Sequence, residues 1–135
     1  MNLEQFKLSK DERALLIEMT DFGVPLYEVL SVVRLTYSDS ANSEQLDIAK
    51  NLVLAVVKKG LVSLCKLTLE NTRDNIYEVS DSTSMPVEDV KKHMSQLVNW
   101  EQSSDSFDST ITYELAPTEL GEKALDEIFN IKQDN

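Results

Sequence analysis

Apolar positions in this chain group into five helix-like stretches and three short strand-like ones. Ser9-Lys10-Asp11-Glu12 has the S-x-x-E spacing of a capping box, which starts a helix at Lys10. Leu15, Leu16 and Met19 form its expected buried stripe. Asp21-Phe22-Gly23-Val24-Pro25 ends it, because Gly loosens the chain and Pro cannot continue a helix. Pro25 suits the first turn of a second helix to Leu35. There Leu26, Val29, Leu30 and Val33 recur at i, i+3, i+4 and i+7. After the polar linker Ser38 to Asn42, Asn42 or Ser43 caps a third helix running to Lys59. Its run Leu52 to Val57 is apolar all round, the mark of a helix buried on most sides. Lys58 and Lys59 put cations at the negative helix end, and Gly60 lies just past the stop.

The second half is shorter in its periods. Leu61 to Leu69 reads as a strand, Glu70 to Asn75 as turn chemistry, and Ile76 to Val79 as a weaker strand pairing back. Ser80 to Met85 is expected to be a loop. Pro86 opens a fourth helix closing on Trp100, with Val87, Val90, Met94, Leu97 and Val98 on one face. Residues 101–110, rich in Ser and Asp, are expected to be a mobile connection or the tip of a wing. Ile111 to Leu115 is a strand, and Thr118 caps a last helix with Leu120, Ala124, Leu125, Ile128 and Phe129 inward. Lys132 to Asn135 is an expected frayed tail. The order is α+β, mostly helical, with about five helices and a small β-hairpin or wing.

The stretch Tyr113-Glu114-Leu115-Ala116-Pro117-Thr118-Glu119-Leu120-Gly121 resembles the end of a winged-helix domain. In that family the second wing strand runs into a closing helix through a Tyr-x-Leu-Thr…Gly pattern; here Ala116-Pro117 intervenes before Thr118. The resemblance spans about residues 84–131 and implies a wing made around residues 101–110. A longer likeness rests on Asp21-Phe22-Gly23, Leu26-Tyr27-Glu28-Val29, Lys59-Gly60-Leu61-Val62 and the acidic helix Glu88-Asp89-Val90 up to Trp100. In these the chain resembles small bacterial proteins that include immunity partners of secreted toxins, of the contact-dependent or polymorphic toxin systems.

At 135 residues the chain is sized for one domain, and 41% apolar residues suffice for an ordinary core. The single cysteine, Cys65, rules out an internal disulfide and fits a reducing compartment. Met1 to Lys7 has neither the basic nor the apolar part of a secretory signal. The longest apolar run, Leu52 to Val57, falls well short of the roughly 20 residues that span a bilayer. A soluble, cytoplasmic protein with no membrane contact is expected.

Charge changes the picture most. Residues 1–66 hold eight Lys/Arg and nine Asp/Glu, a net of −1. Residues 67–135 hold five Lys/Arg and fifteen Asp/Glu, a net of −10, which completes the formal −11. Such a field repels phosphate backbones and attracts basic protein surfaces. A DNA-reading winged helix needs the opposite sign, since duplex affinity rests on cations meeting phosphates. The expected recognition helix carries Glu88 and Asp89, and the expected wing carries Glu101, Asp105 and Asp108 without a Lys or Arg.

No catalytic or metal motif is present: there is no GxGxxG, GxxxxGK[ST] or HExxH. His93, the only histidine, has Asp89 and Leu97 at helical spacing and reads as a surface or half-buried residue. Cys65, without a CxxC partner, reads as a small buried hydrophobe. Asp105 to Ser109 lacks the Gly and closing Glu of a calcium loop. No cofactor is expected. The expected function is non-enzymatic: an acidic protein that binds a basic partner, most concretely a toxin domain, without nucleic acid. Asp81, Glu88, Asp89, Glu101, Asp105 and Asp108 supply the charge, with Trp100 or Phe107 as aromatic anchors. The alternative is a winged-helix transcription regulator.

Overall fold

Helix α1 (Lys10–Glu18) starts at the expected capping box. The Ser9 hydroxyl accepts from the Glu12 amide, and the Glu12 carboxylate accepts from the Ser9 amide. This computed structural model describes residues 7–20, 23–73, 76–100 and 111–133. Helix α2 spans Leu26–Thr36 with Pro25 as its N-cap. Helix α3 (Asn42–Lys58) begins from Ala41, one residue before the expected caps, and has no side-chain cap there. Buried Gln45 instead ties this end down, donating to the Tyr37 carbonyl at 2.9 Å. Ala49, Val53 and Val56 are fully buried, and no residue of Leu52–Val57 is exposed.

The junction after α3 is tied down by several hydrogen bonds. Gly60 takes φ of 76°. Its amide donates to Val57 and that of Leu61 to Val56, the paired bonds of a Schellman stop. A side chain at that φ costs roughly 1–2 kcal/mol, which is why glycine sits there. The Thr118 hydroxyl donates to the Gly60 carbonyl at 2.6 Å and accepts from the Gly121 amide at 3.1 Å. Gly121 lies so close to the Leu61 carbonyl that a Cβ would collide with it. Thr118 thus caps α5 (Glu119–Gln133) as expected while clamping it to the end of α3.

Strands β1 (Val62–Arg73), β2 (Ile76–Ser84) and β3 (Ile111–Pro117) form an antiparallel sheet in the order β2-β1-β3. The hairpin is longer than composition suggests. Glu70 to Arg73 and Ser80 to Ser84, expected as turn and loop, are paired strand with bulges near Thr68 and Asn71. Backbone pairing overrides their weak strand propensity. On the free side of β3, Val24 exchanges two backbone hydrogen bonds with Leu115, at 2.7 and 2.9 Å, so the linker before α2 covers that edge.

Helix α4 (Val87–Met94) ends six residues before the expected stop and is followed by a 3₁₀ turn at Leu97–Trp100. The α4 end is capped by side chains. Ser95 donates to Lys92, Asn99 to His93 and the Trp100 indole to Met94, all onto α4 carbonyls. The break swaps two roles: Trp100 turns into the core, and Leu97, expected inward, stands 61% exposed. Val87 is exposed as well, while Val90 and Met94 are buried as expected; the Val98 side chain lies outside the described residues.

The fold is therefore α+β and mostly helical, with the expected hairpin lying before α4. Strand β3 pairs with β1, from Val62↔Pro117 to Thr68↔Ile111. Residues 101–110, the expected wing tip, lie outside the described residues, as do residues 134–135 of the expected tail; Lys132 and Gln133 belong to α5. Among the described residues no helix is long and apolar enough to cross a membrane.

Candidate functional site

The residues expected to meet a partner fall into three groups. Asp81 is exposed on β2 opposite Thr68. Glu88 and Asp89 are exposed in the first turn of α4, whose N-cap Pro86 offers no side-chain bond. Their charge there also complements the positive helix end. These three follow one another around the passage from β2 into α4. Trp100 is 2% exposed, with its indole spent on Met94, so it is a core residue and not a surface anchor. It only borders a groove of about 570 Å³, at which Leu97 is the exposed apolar side chain. Glu101, Asp105, Phe107 and Asp108 lie outside the described residues.

Two acidic features were not singled out from the sequence. Glu70 and Glu78 stand directly opposite each other across the hairpin. Like charges in that position destabilise a strand pair. Only the register reveals this, because eight positions separate the two in the chain. On α5, Glu119, Glu122 and Asp126 are all exposed. Their spacing of three and four residues, which puts them along one helix face, was available in the sequence.

Ion pairing is sparse in both halves. Among the described residues the one ion pair is Lys59–Glu12 at 2.6 Å, in the first half. No described acid of residues 67–133 has a Lys or Arg within 4.0 Å. Arg73, Lys91, Lys92 and Lys123 are present but exposed and unpaired with them. The hairpin and α5 therefore present carboxylates without an ion pair, while on α4 Glu88 and Asp89 share the helix with exposed Lys91 and Lys92.

Two titratable groups with shifted pKa sit near β3. His93 is half-buried on α4 against Tyr113, ring centroids 4.3 Å apart and tilted by 43°. Burial lowers its pKa below the ordinary value. With Asp89 and Lys92 it borders a shallow depression of about 220 Å³. The Glu114 carboxyl is pushed above the usual range, first by burial and then by the charge of Glu28. Cys65 is half-buried on β1 and not fully enclosed, its Sγ directed at the Ser63 carbonyl. Among the described residues no three His, Cys, Asp or Glu side chains gather as they would around a metal ion.

Compared with known proteins, the chain matches no family model, no curated protein and no solved structure.

Proposed function

We propose that this is a non-enzymatic binding protein whose acidic surface neutralises a basic protein partner. Its most concrete form is an immunity protein that binds and inhibits a bacterial toxin domain, with a nuclease as the natural target. The observation that carries the reading is the unpaired charge of the second half: its described carboxylates have no cation within 4.0 Å. Glu114 and Glu127 are half-buried, and Glu88 and Asp89 also favour the start of α4, but the described carboxylates of this half are otherwise exposed. They are free to meet the cations that a nuclease uses to hold phosphates, which would speed encounter and block the substrate.

The test is co-expression and co-purification with the product of the adjacent reading frame, followed by stopped-flow association. The proposal expects a complex whose on-rate falls steeply with salt. It also expects Asp81→Asn/Glu88→Gln/Asp89→Asn to slow association, with only a small drop in melting temperature from the charges lost at the start of α4. Specific retention of duplex DNA in a low-salt gel shift would overturn it in favour of a transcription regulator.

A further inference from the structure

Helices α1 and α2 both pack on α3 and leave a groove between them. Its volume is about 210 Å³. An apolar cavity of about 150 Å³ admits a benzene molecule, so this space takes one aromatic ring with a short tail. The floor is apolar: Leu15, Val29 and Val33 are buried core residues, and Leu52 of α3 closes the bottom. The mouth is acidic. Asp11, Glu18 and Glu28 all line the groove, and no Lys, Arg or His does.

The three carboxylates are not equivalent. Asp11 accepts a short hydrogen bond from the Tyr37 hydroxyl. That bond, together with the Asp11 charge, raises the pKa of the phenol, so it stays a donor. Glu18 and Glu28 are exposed at the surface and have no ion-pair partner among the described residues. Glu28 also raises the pKa of half-buried Glu114, after the effect of burial. An apolar slot with an anionic rim complements one chemistry: a hydrophobic body that carries a cation.

We propose that the α1–α2 groove binds a small organic ammonium ion with an apolar body of about one aromatic ring. The ring occupies the floor over Leu52, and the ammonium group sits between Glu18 and Glu28. The site lies in the half of the chain whose net charge is only −1, so its selectivity comes from local placement and not from the global field. It is separate from the carboxylates assigned to the basic partner, and either reading can fail alone.

Titration with 2-phenylethylammonium chloride tests this, followed by amide chemical shifts of the full chain. Saturable shifts confined to α1, α2 and the middle of α3 are expected, with a dissociation constant of about a millimolar or below. The neutral isostere 2-phenylethanol should bind about fivefold to tenfold more weakly, as should 2-phenylethylammonium to Glu18→Gln/Glu28→Gln. Ala14→Leu, at an exposed position lining the groove, fills the slot and should abolish binding without unfolding the protein. Asp81→Lys/Glu88→Lys should leave it unchanged. Equal binding of 2-phenylethanol or of 3-phenylpropionate would overturn the proposal. So would shifts centred on the hairpin, the absence of saturable binding, or a groove closed by a second copy, seen as self-association that Ala14→Leu abolishes.

Discussion

The two ends of β1 share a strand but not an environment. Val62 and Leu64 are buried beneath the helices, and the chain just before them is clamped by Gly60, Thr118 and Gly121. Past Thr68, the last position paired with the described part of β3, Glu70 to Arg73 are all exposed, as are Ile76 opposite Arg73 and Val79 opposite half-buried Leu69. The inner end is held by packing, whereas among the described residues the outer end pairs with β2 alone. Selection on the outer end is therefore free of the core, and that is where opposed carboxylates can be carried. A structural role would not choose Glu70 against Glu78, because the pair weakens the hairpin it sits in.

The sharpest way to break this comparison is to truncate apolar side chains at both ends. Leu64→Ala is expected to lower the unfolding free energy by about 2–5 kcal/mol, read from the urea midpoint. Val79→Ala on the arm is expected to change it by less than about 0.5 kcal/mol. Equal losses would show that the arm is packed in solution.

Next in size is the clamp. Gly60→Ala puts a side chain at positive φ and is expected to cost about 1–2 kcal/mol. Thr118→Val removes two hydrogen bonds and is expected to cost a similar amount. Hydrogen exchange would place the effect: amides at the start of β1 and of α5 should lose protection, while the outer hairpin amides stay as they were.

A third expectation concerns pH and the layer around β3. His93 is depressed, so the unfolded chain binds a proton more readily; its contribution to stability is present above its ordinary value of 6.5 and is lost as pH falls. Glu114 is raised, so its contribution has the opposite sign: it is present at low pH and is lost as pH rises through its elevated pKa. His93→Gln should therefore flatten the loss of stability on acidification. Glu114→Gln should flatten the loss on going from mild acid to neutrality. Proton NMR of the single imidazole should give a midpoint below 6.5.

The smallest effect is the most diagnostic for function. Glu78→Lys turns the opposed acids into a complementary pair and is expected to stabilise the protein by a few tenths to about 1 kcal/mol. The gain should shrink in high salt. The same substitution should weaken association with a basic partner. A variant that is more stable yet binds less well would show that the arm keeps its charge for binding.

Local chemistry was legible in the sequence wherever one residue decides the outcome. The capping box at Ser9, the stop at Gly60, the all-round apolar run in α3 and the cap at Thr118 all follow from near neighbours. The end of α4 was not legible. A continuous stripe through Leu97 satisfies helical periodicity, but the indole of Trp100 and the amide of Asn99 reach back to α4 carbonyls and stop the helix. The hairpin was half legible, since pairing carries polar residues into strands that composition assigns to loops.

The sequence by itself determined the helix caps, the core stripes of α2 and α5, and the concentration of acid in the second half, because each depends on spacing or count alone. Tertiary structure alone decided that β3 pairs with β1, that Glu70 faces Glu78, that Trp100 is core, and that α1 and α2 leave an acid-rimmed groove over α3. These depend on which surfaces meet across long stretches of chain. Meeting is settled by the burial of the whole core, to which no single segment carries the answer.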